Sequence, residues 1–196
     1  GGIYNFSSSP TITNCNITNN NAFYGGGICN NDCPSLIINN STITSNTAES
    51  GGGGMYNINY SSPIMNNCTI SDNAAVSGGG IYNDAYGATT LNNTIVWVNR
   101  ASFQAQQFLV SNGPIALNNS CYGNEANDVV GTLTTTNCIT SDPIFINPYK
   151  DFRLAANSPC IDAGNNSYND QPTDIRGTGF DRKLSKNDAS IAGTID

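Results

Sequence analysis

Charged side chains are scarce in this chain of 196 residues, and there is no His. The first Lys or Arg is Arg100, and the formal net charge is −7. Residues 1–99 contain four acids, namely Asp32, Glu49, Asp72 and Asp84. Nucleic acids and anionic membranes are bound through patches of Lys and Arg, so neither is expected as a partner. The polar surface of the first half must therefore consist mainly of Asn, Ser and Thr side chains.

Long apolar runs and helical patterns are missing as well. No segment approaches the roughly 18 consecutive apolar residues of a transmembrane helix, so no membrane insertion is expected of this segment. No apolar spacing of three and four residues continues long enough for an amphipathic helix. A secretion signal is not visible, but the chain begins inside a repeat, so we expect its natural start to lie further upstream.

One Gly-rich phrase occurs four times in the first 83 residues. It reads Gly1-Gly2-Ile3-Tyr4-Asn5 at the start and returns at 26–30, 53–57 and 79–83. The apolar residues of successive phrases are 25, 27 and 26 positions apart, a period that is typical of solenoid proteins. A second phrase keeps nearly the same spacing and begins at Asn14, Asn40, Asn67 and Asn93.

Each period contains three short runs in which apolar and polar residues alternate, as in half-buried strands. Three strands in about 26 residues predict an all-β fold, a three-sided parallel β-helix of about five or six coils stacked about 4.8 Å apart. A propeller blade would need four strands and roughly 40 residues, and the Leu-x-x-Leu-x-Leu frame of leucine-rich repeats is absent.

The predicted coils cover residues 1–141, with clear repeats in 1–99 and degenerate ones in 100–141. Residues 142–196 have an irregular, charge-bearing composition that indicates a C-terminal cap, which protects the open edge of a strand stack. Four apolar residues of this segment are predicted to fold back over the last coil: Phe145, Phe152, Leu154 and Ile161.

Coils that stack in register place equivalent residues above one another. One inward column is predicted from Ile3, Ile28, Met55 and Ile81, and a second from Ile17, Ile43, Ile70 and Val96. Two ladders of hydrogen-bonded asparagines are predicted from Asn5, Asn30, Asn57 and Asn83 and from Asn20, Asn46, Asn73 and Asn99. An outward polar face is predicted from Asn16, Thr18, Thr42, Thr44, Thr69 and Ser71.

The seven cysteines are an odd number. Cys29 and Cys33 are close enough in sequence for a loop disulfide, which we predict as one option. A second bridge would come from two of Cys121, Cys138 and Cys160. The interpretation of Cys15 and Cys68 as small apolar side chains of the interior stays open beside these.

The Gly phrases resemble the Gly-Gly-x-Ile repeats of polymorphic outer-membrane proteins, whose second signature is Phe-x-x-Asn. In that signature Ile or Val replaces Phe here, at Ile17, Ile43, Ile70 and Val96, with Asn kept at Asn20, Asn46, Asn73 and Asn99.

The second half resembles the ending of the choice-of-anchor family of secreted bacterial β-helix proteins. The matching stretches are Asp142-Pro143-Ile144-Phe145, Asp151-Phe152-Arg153-Leu154, Asn157-Ser158-Pro159-Cys160-Ile161-Asp162-Ala163-Gly164 and Asp174-Ile175-Arg176-Gly177. This resemblance implies a right-handed, single-stranded β-helix of the pectate-lyase type, exported and displayed on a bacterial cell surface. It assigns no reaction. Family members usually continue into a short Gly-Ala-Tyr-Glu-like close and then a sorting or anchoring module; this sequence contains neither, so the resemblance does not assign an anchor.

Enzymes with this fold cleave polysaccharides with calcium-binding acid clusters or with close pairs of aspartates. The four acids of residues 1–99 do not lie at equivalent positions of neighbouring repeats, so none of them has another acid in register beside it. The charged residues of the final segment are interpreted as turn residues and ion pairs: Asp142, Asp151, Asp162, Asp174, Arg153, Arg176 and Arg182. A site made of Asp162 and Asp174 with Arg153 or Arg176 is the alternative. No Cys or His spacing is typical of zinc, so no cofactor is expected.

The sequence thus favours a noncatalytic extracellular scaffold or adhesive module. Its expected partners are further copies of itself, joined through the coil ends into filaments, and a surface glycan or host-cell ligand. A glycan-binding or glycan-cleaving domain is the first alternative. Tyr4, Tyr56 and Tyr82 would stack on sugars if they form an outward stripe, although Cys29 interrupts it and an inward orientation is equally open. Ice binding by the polar face is a second alternative, although Ile95 and Trp97 break its pattern.

Overall fold

Equivalent residues of successive repeats pair with each other in residues 1–168, the part of the chain that the computed structural model describes. Ile3 pairs with Ile28, Ile28 with Met55, and Met55 with Ile81, always in parallel strands. Backbone hydrogen bonds therefore run from coil to coil rather than within a coil. The predicted parallel β-helix with about 26 residues per coil is confirmed.

Four parallel sheets run along the solenoid. The first contains β1 (Ile3–Phe6), β5 (Ile28–Asn31), β9 (Met55–Ile58), β13 (Ile81–Asn83), β17 (Phe108–Val110) and β20 (Val129–Val130). The second contains β2 (Thr11–Thr13), β6 (Ile37–Asn39), β10 (Ile64–Asn66), β14 (Thr89–Asn92), β18 (Ile115–Asn118) and β21 (Leu133–Thr136). The third contains β3 (Asn16–Thr18), β7 (Thr42–Thr44), β11 (Thr69–Ser71), β15 (Ile95–Trp97) and β19 (Cys121–Tyr122).

A fourth sheet was not expected from the sequence. It contains β4 (Asn21–Tyr24), β8 (Thr47–Gly51), β12 (Ala74–Ser77) and β16 (Arg100–Gln104), and its register is interrupted by bulges. Its inward side chains are alanines, with Ala22 opposite Ala48 and Ala75 opposite Ala101. Alanine is a poor indicator of a strand, so the apolar alternation that marks the other three strands is weak here.

The chain turns between sheets through residues with left-handed backbone angles. Between the second and third sheets the turning residue is an asparagine in every coil, with φ between 48° and 56°: Asn14, Asn40, Asn67, Asn93, Asn119 and Asn137. Before the first sheet it is a glycine in three coils and Ala105 in the next; at Gly52, φ is 68° and a Cβ would lie 2.4 Å from the carbonyl oxygen of Met55. The Gly phrase is therefore a corner of the coil, as predicted.

The core is one continuous column of apolar side chains inside the coils. Ile17, Ile43, Ile70 and Val96 stack in register, as predicted. Within the same interior lies the first predicted ladder, in which Nδ2 of Asn5 donates to Oδ1 of Asn30 (2.9 Å). Asn30 donates to Asn57 (2.8 Å), and Asn57 to Asn83 (2.8 Å).

The second predicted ladder is also present. Asn20 donates to Asn46 (2.9 Å), Asn46 to Asn73 (3.0 Å), and Asn73 to Asn99 (2.9 Å). It continues beyond the prediction, because Nδ2 of Asn99 donates to Oε1 of Gln107 at 2.8 Å. A further ladder, which was not among those predicted, joins Asn39, Asn66, Asn92 and Asn118 at 2.8–2.9 Å.

The predicted Cys29–Cys33 disulfide is not formed. Cys33 is fully buried in the core, whereas Cys29 lies on the outer side of β5, between the inward residues Ile28 and Asn30. Alternation along the strand thus places the two thiols in different environments. All seven cysteines are free thiols in the structure.

Candidate functional site

The predicted outward polar face is only partly accessible. Asn16 and Thr18 in β3 are exposed, and Thr42 is half-buried. Thr44, Thr69 and Ser71 have exposures of only 5%, 6% and 0%. They do flank the inward Ile column, but the expectation of a solvent-facing row is wrong for these three residues.

A C-terminal segment, residues 142–168, packs outside the third sheet. Its hairpin of β22 (Phe145–Asn147) and β23 (Asp151–Leu154) places Phe145 and Leu154 against Ile95 and Cys121 in a second apolar cluster. The outer side of the third sheet is apolar at Ile95 and partly so at Trp97, and burying this surface is favourable.

The described part of this segment is placed differently from the expected cap over the last coil. Near its end, the backbone oxygens of Tyr168 and Asn165 accept hydrogen bonds from Asn67 (3.1 Å) and Asn93 (3.0 Å). The segment therefore runs along the side of the solenoid, back towards the earlier coils. The predicted cap residues Asp174, Arg176 and Arg182 lie outside the described residues.

Charged and aromatic groups add to the attachment. Arg100 forms an ion pair with Asp72 at 2.8 Å, and its guanidinium carbon lies 5.8 Å from the ring centroid of Tyr149. Asp72 also accepts a hydrogen bond from the hydroxyl of Ser45 at 2.9 Å. Because Arg100 is half exposed, its contact with Tyr149 orients the C-terminal segment but contributes little to the free energy of attachment.

Leu154 is the fully buried anchor of the C-terminal segment. We expect Leu154→Ala to cost about 2–4 kcal/mol in attachment, because it leaves a cavity in the second apolar cluster. Limited proteolysis at increasing urea should then cleave residues 142–168 at a lower urea concentration than in the wild type. Ile146→Ala, at a neighbouring side chain that is 53% exposed, is the control. Equal protection of the two variants would contradict this packing.

A cleft of about 520 Å³ lies between the C-terminal segment and the first two coils. Its solenoid wall is polar and consists of Asn16, Thr18, Asn19, Thr42, Thr44 and Ser45. Its other wall consists of Tyr149, Lys150, Phe152 and Arg153. Arg153 is held by Asp151, to which its Nε donates at 2.8 Å, and this pairing raises the pKa of the guanidinium.

The orientation of the tyrosines was open from the sequence, and the structure turns them outward. Tyr4, Cys29, Tyr56 and Tyr82 form one row of register partners on the outer side of the first sheet. The residues beside Tyr56, Met55 and Asn57, are fully buried inside the coil. Tyr4 is 64% exposed.

An aromatic cluster, Phe23, Tyr24, Tyr56 and Tyr82, is built where the fourth sheet meets the first. Tyr24 stacks on Tyr56 with ring centroids 4.7 Å apart, and Tyr82 meets Tyr56 edge-on at 5.1 Å. Phe23 meets Tyr24 edge-on at 4.8 Å. Tyr56 is buried by its neighbours, while Phe23 is 60% and Tyr24 41% exposed. The cluster therefore presents aromatic surface on a rigid base.

Gly51 in β8 makes room for this cluster. A Cβ at Gly51 would lie 2.6 Å from Cδ1 of Tyr82, so the ring occupies the space that a side chain would need. Tyr24 of the preceding coil pairs with Gly51 in the sheet. The Gly run is visible in the sequence, but the space that Gly51 leaves for the Tyr82 ring follows only from packing between coils.

Polar groups border the aromatic cluster. The hydroxyl of Tyr56 donates to the Asp84 carboxylate at 3.1 Å, and the hydroxyl of Ser111 donates to the Tyr82 oxygen at 3.3 Å. Burial, and next the Asp84 charge, raise the pKa of Tyr56, so this phenol stays protonated as a donor. The surface thus combines ring faces with a carboxylate and hydroxyl groups.

Several acids of the described residues have local, structural partners. Asp32 accepts from the Ser7 hydroxyl at 2.8 Å, Asp72 pairs with Arg100, and Asp142 accepts from the Ile144 backbone at 2.7 Å. Among residues 1–168, no three His, Cys, Asp or Glu side chains come together as a candidate metal site. The contact of Asp142 and the Arg153–Asp151 ion pair agree with the interpretation of the charged residues of the final segment as turn residues and ion pairs.

Comparison with family models supplies the classification. The model for right-handed β-helix regions matches residues 1–171. The chain belongs to the right-handed β-helix family. No curated protein and no solved structure is significantly similar to it. Because a fold does not determine function, a function of this chain has to be argued from its surface features, the aromatic cluster and the cleft. Within the described part of the chain, no helix is long and apolar enough to cross a membrane.

Proposed function

We propose that this protein is a noncatalytic, extracellular β-helix module that binds carbohydrate through the aromatic cluster and so serves as an adhesive scaffold. The observation that carries this proposal is the exposed ring surface of Phe23 and Tyr24 on the buried Tyr56. Contiguous exposed aromatic surface on a soluble protein marks an interaction site. Sugar rings have apolar faces and hydroxyl edges, which match ring faces bordered by Asp84 and Ser111.

The extracellular bacterial location rests on the resemblance to choice-of-anchor proteins and on a surface wetted by Asn, Ser and Thr. The noncatalytic role is supported by Asp32, Asp72 and Asp142, whose carboxylates hold a hydroxyl group, an ion pair and a turn. Assembly into filaments through the coil ends stays a prediction. Ice binding is not proposed, because Thr44, Thr69 and Ser71 are too buried to form a flat, exposed array.

Affinity electrophoresis of the whole chain in gels containing neutral or acidic polysaccharides tests this proposal. We expect at least one polysaccharide to retard the wild type, and Tyr24→Ala to weaken that retardation roughly tenfold by loss of a stacking surface. Tyr24→Phe keeps the ring and should bind like the wild type. Tyr60→Ala is the matched control, because Tyr60 is 65% exposed and stacks with Tyr86 outside the cluster.

Retardation by no polysaccharide, or equal binding by Tyr24→Ala and Tyr60→Ala, would refute carbohydrate binding at the aromatic cluster. The same polysaccharides are incubated with the protein and assayed for new reducing ends and for unsaturated products. We expect neither. If either product appears, the protein is a glycan-cleaving enzyme and the proposed noncatalytic role is wrong.

A further inference from the structure

Two buried cysteines meet where the C-terminal segment contacts the solenoid. Cys121 begins β19 in the third sheet, and Cys160 belongs to the C-terminal segment. They are 3% and 5% exposed and lie in the same apolar cluster as Phe145 and Leu154. Both line the same narrow space beside Ile139. Residues distant in sequence are thus brought together in one buried place.

We propose that Cys121 and Cys160 form a disulfide that fastens the C-terminal segment covalently to the fifth coil. This inference goes beyond carbohydrate binding and does not depend on it. The bond would join the side of the solenoid to a segment otherwise held by apolar packing, by the contacts of Asn67 and Asn93 and by the Arg100–Tyr149 contact.

The other cysteines of the described residues have different surroundings. The thiol of Cys138 faces the inner core and donates to the backbone oxygens of Leu117 (3.3 Å) and Thr136 (3.4 Å). Cys15, Cys33 and Cys68 also pack in or against the inner core, away from the second apolar cluster. Cys29 lies on the outer side of the first sheet. Of the three candidates for a second bridge, the structure therefore selects Cys121 and Cys160.

The two thiols also differ in a way that suits thiol–disulfide exchange. The hydrogen bond from Cys121 lowers the pKa of Cys160, while the same contact and burial raise the pKa of Cys121. Cys160 is therefore the first thiolate and attacks a disulfide donor, such as oxidised glutathione or an oxidoreductase. This step forms a mixed disulfide and releases one donor thiol.

In the second step Cys121 loses its proton and attacks Sγ of Cys160, which releases the second donor thiol. Overall the two protein thiols lose two electrons and two protons, one S–S bond forms, and the donor disulfide is reduced to two thiols. The closed loop spans residues 121–160, about 40 residues, and such a loop is expected to raise the Tm by about 10 °C.

The test uses the whole purified chain, incubated with oxidised glutathione, denatured in excess alkylating reagent and mapped by mass spectrometry. We expect a peptide linking residues 121 and 160 in the wild type and in Cys138→Ser. Neither Cys121→Ser nor Cys160→Ser should contain it. Alkylation of both cysteines in the wild type, or a link from Cys138 to either of them, would overturn the assignment.

Thermal unfolding supplies a second readout. The oxidised wild type should melt about 10 °C above the protein treated with a phosphine reductant. The double variant Cys121→Ser/Cys160→Ser should melt at one temperature under both conditions. A redox-dependent shift that persists in the double variant, or no shift in the wild type, would contradict a covalent fastening of the segment.

Discussion

Asn73→Ala is expected to destabilise the solenoid by about 3–5 kcal/mol, because it leaves several buried polar groups without partners. Asn73 is fully buried. Its Oδ1 accepts from the backbone N and from Nδ2 of Asn46, both at 3.0 Å. Its Nδ2 donates to Oδ1 of Asn99 at 2.9 Å and to the backbone oxygen of Ile43 at 2.8 Å. Alanine can replace none of these bonds.

Urea unfolding followed by circular dichroism measures this effect. Asn21→Ala is the matched control, since Asn21 is an exposed asparagine at the start of β4, and we expect it to change stability by less than about 0.5 kcal/mol. Similar unfolding midpoints for the two variants would show that the ladder contributes little beyond the apolar column.

The position of Asn73 in a middle coil makes this loss more serious than the same change at an end. Each coil of a solenoid contacts only its neighbours, so stability is the sum of coil and interface contributions. Asn73 bonds to the preceding coil through Asn46 and to the following one through Asn99. Its removal weakens two interfaces together, and the transition is expected to broaden as well as to shift.

The repeat period made most of the coil predictable. Once Ile17, Ile43 and Ile70 were aligned, the register of the third sheet and the ladder through Asn46 and Asn73 followed, because stacking in a parallel sheet is residue on residue. The third ladder, Asn39 to Asn118, follows the same rule and was detectable from the same alignment. The fourth sheet was missed because its inward residues are alanines.

The surface was less predictable, because it depends on contacts between residues far apart in sequence. Thr69 and Ser71 are buried, and the hydroxyl of Ser71 donates to the backbone oxygen of Trp97 in the next coil, a contact that strand alternation alone does not predict. The orientation of Tyr56 depends on strand phase beside a glycine corner, where alternation gives no answer. The contact of Cys121 with Cys160 likewise arises only when that segment folds back.

Gly53→Ala is expected to destabilise the protein by about 3 kcal/mol through overlap with backbone atoms. A Cβ at Gly53 would lie 2.5 Å from the carbonyl oxygens of both Ala74 and Gly79. No side chain can move aside to relieve these contacts, since both belong to the backbone. The coils would have to separate where the Gly53 nitrogen donates to Gly78 at 3.1 Å.

Gly164→Ala is the control for the Gly53 variant. Gly164 lies in the C-terminal segment. The atoms nearest to a Cβ at Gly164 belong to the side chain of Asn93 and would be at least 3.4 Å away. Thermal unfolding of the two variants should therefore give a Tm decrease of at least about 6 °C for Gly53→Ala and little change for Gly164→Ala. Equal Tm values for the two variants would contradict this prediction, because they would mean that the coils separate at Gly53 without cost. We expect a cost, since the backbone nitrogens of Gly52, Gly53 and Gly54 all donate hydrogen bonds to the next coil.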